Sequence, residues 1–592
     1  MDLEKHALLK AQAGTEDFSA FIENGYYYVD KTRYIRPIFE ADNRLLLLRP
    51  RRFGKTLTMS MLRRFLEMDY EHPGDISAQQ KLFKGLKVTE DREFCQNHMG
   101  RYPVVMLTLK EVDGLDFRNA CDLLGETVWD LANSFEWLKD SPRLNDAEKK
   151  SFNKLLDEDL LCSGTEAGIK TLQTSLKKLC GFLRKHCGRK IVLLIDEYDV
   201  PLQKAVTGNY YEKFSKVIGV MLGSALKTNG DVCKGILSGC LRATKEGIFT
   251  GLNNFTVDSV LTQSDSLCTA LGFTPDEVKA MLGYYGFGDF YEKTRSWYDG
   301  YSINGRELFC PWDVSCYVEA LCDKHDPAKV RPEAYWNKTS SSRILTQFMP
   351  GLDEANAQKL QELLDGGSIE VRIDEGMNYG ELDLNDPAQF WNLLVYAGYL
   401  TLVKAGERSE HEFRIPNAEV RQWFNDNIMA YYRKRGGRYF DSYSKRIVEQ
   451  LLCGNADELS AALGSALSVF VSSRDLAVRE PKENYYHGML NGILVSSSDL
   501  ISALSSNTDS EGGYADITFL SRDRKTGVVI ELKYAANRKD LSKKASEAVE
   551  QIEDQDYAEA VRQQGMRRIL GFGIAFCRRQ CAVAVKDLKV KA

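Results

Sequence analysis

Four short apolar runs constrain this chain more than any other feature. They are Leu45-Leu46-Leu47-Leu48, Val104-Val105-Met106-Leu107, Ile191-Val192-Leu193-Leu194-Ile195 and Gly235-Ile236-Leu237. Each has strand length, and helical patterns separate them. Strands that are apolar on both faces need cover on both faces, which a parallel sheet flanked by helices provides. Between the second and third runs, Leu172, Leu176, Leu179 and Leu183 recur at helical spacing within a charged stretch. Residues 1–263 therefore read as α/β.

Two further regions follow. Residues 264–479 read as mainly helical: Thr274-Pro275-Asp276-Glu277 is a capping box with Pro at the first helical position, and Ala461, Leu463 and Leu467 mark a second helix. Residues 480–592 change pattern again. A helix from Tyr486 to about Ile501 leads into a Ser/Asn/Gly-rich loop. The runs Tyr514 to Leu520 and Val528 to Tyr534 are then joined by a polar, Gly-ended spacer that predicts a hairpin. A helix around Ala545 to Val561 and a strand around Ile569 to Phe576 complete an α/β unit.

Composition excludes several classes. With 43% hydrophobic and 27% charged residues, disorder of the whole chain is ruled out. The net charge of −6 gives no global basic excess, so nucleic-acid binding requires a local patch. The 14 Cys include no Cys-x-x-Cys pair, so zinc-site spacing is absent and reduced thiols are expected. The first residues lack an apolar signal core, and the apolar runs are too short to span a bilayer. A cytoplasmic protein with no membrane contact is expected.

Arg49-Pro50-Arg51-Arg52-Phe53-Gly54-Lys55-Thr56 follows the first apolar run and opens a helix marked by Leu57, Met61, Leu62 and Phe65. Strand, loop and helix are the setting of a P-loop: backbone N–H groups cradle phosphate, Lys55 reaches the β/γ-phosphates and Thr56 holds Mg²⁺. The first Gly of G-x-x-x-x-G-K-[ST] is Arg49 here. Downstream, the run Ile191 to Ile195 ends in Asp196 and Glu197, placed to orient Mg²⁺ and to polarise the attacking water. A strand ending in helix-capping acids is the plainer alternative.

In combination these residues resemble the AAA-ATPase-like proteins of bacteria, which usually carry a C-terminal PD-(D/E)xK nuclease-like domain. The resemblance rests also on Tyr28-Val29-Asp30-Lys31-Thr32, Asp196-Glu197-Tyr198-Asp199, Gly239-Cys240-Leu241-Arg242, Ile248-Phe249-Thr250-Gly251-Leu252-Asn253-Asn254 and Trp297-Tyr298-Asp299-Gly300-Tyr301. It implies a P-loop NTPase parallel sheet, a mainly helical middle region and a restriction-endonuclease-like α/β domain. It further implies ATP and Mg²⁺ as cofactors, with Arg52, Phe53, Gly54, Lys55, Thr56 and Asp196 at the nucleotide. Arg242 sits where related ATPases place a sensor residue, and reads equally as a surface Arg at a helix start. The aromatic turn Trp297 to Tyr301 reads as packed into its own domain.

In the C-terminal hairpin, Glu531 and Lys533 share one strand face while Ile530 and Leu532 share the other. A turn centred between Asp523 and Arg524 sets Asp516 opposite Glu531, provided no bulge shifts the register. Facing carboxylates hold a divalent metal, Mg²⁺ or Mn²⁺, and a lysine beside them offsets charge near the attacking water. A salt-bridged surface face is the alternative. Asp516, Glu531 and Lys533 are also the set that the nuclease resemblance requires. Glu483 and Glu511 are candidates for a further ligand, Gln551 and Tyr557 resemble residues that follow the motif in some nucleases, and His487 reads as a core or cap histidine. Arg49, Arg51, Arg52, Arg63 and Arg64 around the P-loop, Lys539, Lys543 and Lys544, and Arg567, Arg568, Arg578 and Arg579 form modest basic patches. The expectation is an ATP-binding ATPase coupled to a metal-dependent nuclease on DNA or RNA. The alternatives are a nucleotide-switched regulator that binds nucleic acid or protein without cutting, and an ATPase acting on protein partners. A homo-oligomer is left open.

Overall fold

The computed structural model describes residues 9–227, 229–241, 255–262, 265–336, 354–364, 366–374, 377, 382, 386–407, 409–424, 427, 440–470, 483–497, 499–510 and 513–588. The chain divides into two compact units, 1–347 with 370–420 and 348–369 with 421–592.

The first unit is built on five strands: β1 (Arg44–Leu48), β2 (Val104–Thr108), β3 (Ile191–Asp196), β4 (Val232–Gly239) and β5 (Thr256–Asp258). Their order is β2-β3-β4-β1-β5, and every neighbouring pair is parallel. All six residues of β3 are buried, as a strand covered on both faces requires. The helix Glu166–Cys187 carries the predicted leucines Leu172, Leu176, Leu179 and Leu183, all buried. β4 lies between β1 and β3, so the end of the P-loop strand and the acidic end of β3 flank the end of β4. This is a P-loop NTPase sheet.

The expected helical character after residue 264 is present in Pro275–Tyr284, with its capping box, and in Tyr291–Tyr298 and Pro311–Asp323. Between and beyond them lie the two-stranded β6 (Tyr301–Ile303) and β7 (Arg306–Leu308), and a small sheet of β8 (Ser368–Arg372), β9 (Thr401–Ala405) and β10 (Glu410–Arg414) in the order β8-β10-β9.

The second unit holds a five-stranded mixed sheet, β11 (Ile501–Ser510), β12 (Gly513–Ser521), β13 (Thr526–Tyr534), β14 (Arg568–Cys577) and β15 (Gln580–Leu588), in that order. Only β13 and β14 run parallel; the other pairs are antiparallel. The crossover between them contains the helix Leu541–Asp554, which packs where Gly573 leaves room. A Cβ there would stand 2.0 Å from the Ala545 carbonyl. The segment expected to be a Ser/Asn-rich loop is instead the edge strand β11. Its polar residues pair with β12 on one side, with a register shift between Ser502 and Ser505, and an edge position removes the need for an apolar pattern. The predicted hairpin is present: Ile517 pairs with Ile530 and Leu520 with Gly527, the register expected from a turn at Asp523 and Arg524.

Candidate functional site

The P-loop begins as an extension of β1, with the Arg49 amide donating to the Gly239 carbonyl of β4 at 3.2 Å. Two residues of the loop take left-handed backbone, Arg52 (φ 68°) and Gly54 (φ 87°), the latter capping the helix Lys55–Leu66. Outside groups hold the loop carbonyls: Trp336 Nε1 donates to Arg51 O at 3.3 Å, Cys310 Sγ to Arg52 O at 3.7 Å and the Gly272 amide to Phe53 O at 3.3 Å. In a trans peptide the N–H points opposite to the preceding carbonyl. The amides of Arg52, Phe53 and Gly54 are thereby turned away from those anchors, as a phosphate cradle needs.

Lys55 is buried, and its Nζ donates to the Arg49 and Pro50 carbonyls, both at 3.2 Å, and lies 3.3 Å from Glu197 Oε1. Burial opposes its charge, but Cys240, Glu197, Asp199 and Asp196 outweigh it and raise its pKa. The Thr56 hydroxyl donates to Asp196 Oδ2 at 2.7 Å, and the Ser238 hydroxyl donates to Asp196 Oδ1. Burial, reinforced by Glu197, pushes the Asp196 carboxyl up. Glu197 itself sits at φ 52°, a left-handed conformation that a non-glycine residue adopts only under tertiary constraint. Thus Lys55, Thr56, Asp196 and Glu197 meet at one place. Arg242 lies outside the described residues, as does the motif at 248–254.

Four participants were given no role from sequence: Ser238, and Asp199, Tyr198 and Cys240 of the motifs quoted above. Ser238 and Asp199 are buried, and Asp199 Oδ2 accepts the Cys240 and Leu241 amides, each at 3.0 Å. Burial first, then Glu197, pushes the Asp199 carboxyl up to about 6. Tyr198 donates its hydroxyl to the Leu241 carbonyl. The acidic motif after β3 is thus tied to the motif after β4, and Gly239 is required between them: a Cβ would stand 2.5 Å from Asp199 Oδ1. The fourth is Cys240, whose Sγ lies 3.6 Å from Lys55 Nζ.

A cavity of ≈ 420 Å³ extends from this point, bounded by the P-loop, Tyr27, Tyr28, Leu271, Phe273 and Trp312. One side of it is P-loop backbone and the other is apolar and aromatic, a split seen in small-molecule clefts. The guanidinium of Arg52 lies 4.2 Å from the ring centre of Trp312. Of the two outlying motifs, the first lines the cavity through Tyr28, Val29 and Lys31, and the second lies behind it, where Tyr301 packs on Phe53. Lys31 donates to the Thr269 carbonyl at 3.0 Å and to Glu277 at 2.7 Å, tying the N-terminal segment to the helix Pro275–Tyr284. Tyr298 and Tyr301 are buried as the sequence led one to expect, with Tyr301 edge-on to Phe53 at 4.9 Å. Arg49 must be removed from the basic patch: it is fully buried against Asp258. Arg63 and Arg64 are paired with Glu67 and Asp17.

In the second unit, Glu531 is buried on β13 and accepts from Lys533 Nζ at 2.9 Å. Asp516 lies on β12 one residue beyond the last paired position, Ile517 with Ile530, and its Oδ2 accepts the Leu532 amide at 2.7 Å. The expected cross-strand pair is therefore modified: the Asp516 carboxylate reaches the backbone of β13 at the residue after Glu531. Buried His487 is bonded through Nε2 to the Asp516 carbonyl at 2.9 Å. Gln551 donates to the Tyr557 hydroxyl at 3.1 Å. Among the described residues no cluster of three or more His, Cys, Asp or Glu side chains gathers as a metal site. Glu511 lies outside the described residues, and so does the side chain of Glu483. Lys543 and Lys544 flank Glu547, and Arg568 pairs with Asp587, so part of the basic charge here is already matched.

Among the described residues, no helix is long and apolar enough to cross a membrane. Residues 12–249 match the family model described as predicted AAA-ATPase, and residues 481–586 match that of the PD-(D/E)XK nuclease superfamily. An uncharacterised protein in the vnfD 5′ region of Azotobacter chroococcum mcd 1 is 25% identical over 433 residues, 72% of this chain and 70% of that one. A Walker-type ATPase of Pyrococcus abyssi aligns with a TM-score of 0.36 and 12% identity, over 67% of this chain and 94% of that chain. A Signal Transduction ATPase with Numerous Domains from Pyrococcus horikoshii, with a tetratricopeptide-repeat sensor, aligns with a TM-score of 0.19 and 12% identity, over 84% and 56%. Strand order and loop geometry, rather than these two likenesses, establish the fold. The two matches fall on the two large sheets described above, so residues 12–249 carry a predicted AAA-ATPase domain and residues 481–586 a domain of the PD-(D/E)XK nuclease superfamily.

Proposed function

We propose that the first unit binds and hydrolyses ATP with Mg²⁺, and that the second unit cleaves phosphodiester bonds of DNA or RNA with Mg²⁺ or Mn²⁺, cleavage being coupled to nucleotide state. The observation that carries this reading is the contact between Thr56 and Asp196 beside the Lys55–Glu197 pair. Hydroxyl and carboxylate oxygens at one point are the donor set of a hard divalent cation. Thr56 and Asp196 would hold it, Lys55 would exchange its loop carbonyls for phosphate oxygens, and Glu197 would take a proton from the attacking water.

For the nuclease, Asp516 and Glu531 supply a matching set of carboxylate oxygens on adjacent strands, with Lys533 placed to offset charge. A divalent ion there supplies Lewis acidity and an activated water when bound. Lys543 and Lys544, on the helix after β13, would meet the phosphate backbone. The test measures phosphate release from ATP, and cutting of single- and double-stranded DNA and RNA with either metal, with and without ATP. ATP turnover with no cutting under any condition would favour the non-cutting, nucleotide-switched regulator.

A further inference from the structure

Arg49 occupies the position where the P-loop pattern has its first glycine. Glycine is needed in a loop where the backbone turns left-handed. Here those turns fall at Arg52 and Gly54 and not at residue 49, which continues the extended backbone of β1. A side chain at 49 therefore costs no backbone strain, and the structure puts it to use. Arg49 Nη2 donates to Asp258 Oδ2 at 2.6 Å, and the guanidinium also reaches the carbonyls of Leu48 at 2.9 Å and Leu267 at 3.4 Å. The pair is fully enclosed, with side-chain exposures of 0% and 4%.

Arg49 is thus a junction. Its amide holds β4 through Gly239, its side chain holds β5 through Asp258, and its carbonyl accepts Lys55 Nζ. A buried guanidinium fork bonded at several points fixes one geometry, unlike a flexible ammonium. We infer that Arg49, through Asp258, is a positioning residue for nucleotide binding: it anchors the start of the P-loop so that Lys55 and the loop amides are preset for phosphate. The inference rests on the nucleotide reading above. It carries an unusual consequence, that restoring the consensus glycine at position 49 weakens ATP binding.

The test compares ATP·Mg²⁺ dissociation constants by calorimetry for the full chain and for R49G, R49K, D258N and R49G/D258N, well below each melting midpoint. A residue serving global stability alone would lower the melting temperature and leave the Kd of the folded protein unchanged. The expected result is a Kd raised about tenfold or more in R49G, the loss typical of a charge-assisted contact, with R49K in between. D258N should weaken binding as well, and the double variant should be no worse than the worse single, because both remove one anchor. Wild-type or tighter binding by R49G, or losses that add in full, would overturn the inference. If R49G does not fold, wild-type affinity in both R49K and D258N would overturn it instead. No ATP binding by the unaltered chain would overturn the nucleotide reading itself, and this inference with it.

Discussion

Thr56 and Asp196 stand 140 positions apart in the chain, yet the hydroxyl of one donates to the carboxylate of the other at 2.7 Å. The strand order brings this about. β1 delivers the P-loop and β3 delivers the acid, and β4 between them contributes Ser238 to the second oxygen of the same carboxylate.

Lys55 is expected to control nucleotide affinity. Its ammonium is held by two loop carbonyls and Glu197 in a buried setting, ready to move to phosphate oxygens. K55A should cost about 3 kcal/mol of ATP binding, more than a hundredfold in Kd. Equal affinity in wild type and K55A by calorimetry would remove the assignment.

Glu197 should separate binding from turnover. It pairs with Lys55 and does not hydrogen-bond the Thr56 hydroxyl, so E197Q keeps the shape of the side chain while removing its negative charge and the proton acceptor. ATP affinity should change little, while phosphate release should fall on the order of 10²- to 10⁴-fold. A full rate in E197Q would show that another group activates the water.

The meeting of the P-loop with the acidic end of β3 was legible in sequence because its signals are local: an apolar strand, a Gly-Lys-Thr at a helix start, a second apolar strand ending in acids. The hairpin was legible for the same reason, since a short polar spacer fixes its register. What sequence did not reveal depends on distant partners. Arg49 meets Asp258 across 209 positions, and Asp199 meets the Cys240 amide across 41, so neither pairing has a local signature. Arg49 read as surface charge for that reason. β11 was missed because an edge strand paired on one side tolerates Ser, Asn and Thr, which composition assigns to loops. The reach of Asp516 to the Leu532 amide also escaped the strand arithmetic, which places Cβ atoms but not carboxylates.

Buried acid in the first unit should make stability fall as pH rises. Asp313 is 1% exposed; burial pushes its carboxyl up to about 7, against hydrogen bonds with Cys310 and Glu419 and the charge of Arg52. A folded pKa above the unfolded value of 3.8 favours the folded state at low pH. That contribution is complete below 3.8 and is lost progressively as pH rises through about 7. D313N removes the cost of ionisation while keeping the shape. It should raise the melting temperature by about 2 °C or more at pH 7.5, with a smaller gain at pH 4.5. An equal shift at both pH values would mean that Asp313 does not titrate in this range.

The carboxylates of the second unit should separate activity from stability in different ways. Lys533 is partly exposed and its ammonium pairs with the buried Glu531, so K533A should keep the fold at a modest cost in stability and reduce cleavage on the order of 10²- to 10⁴-fold. Asp516 carries a structural duty as well, because its carboxylate accepts the Leu532 amide. D516A leaves that buried donor without its acceptor and should cost about 1–3 kcal/mol of stability besides cleavage. D516N retains an acceptor for the amide, so it should recover most of the stability while staying inactive, its metal-binding charge gone. Thermal melts and cleavage assays on D516A, D516N, E531A and K533A, each with Mg²⁺ and with Mn²⁺, separate these outcomes. Cutting that persists in all four variants would place the activity at another site. Full activity in D516N would show that the Asp516 charge serves the strand and not a metal.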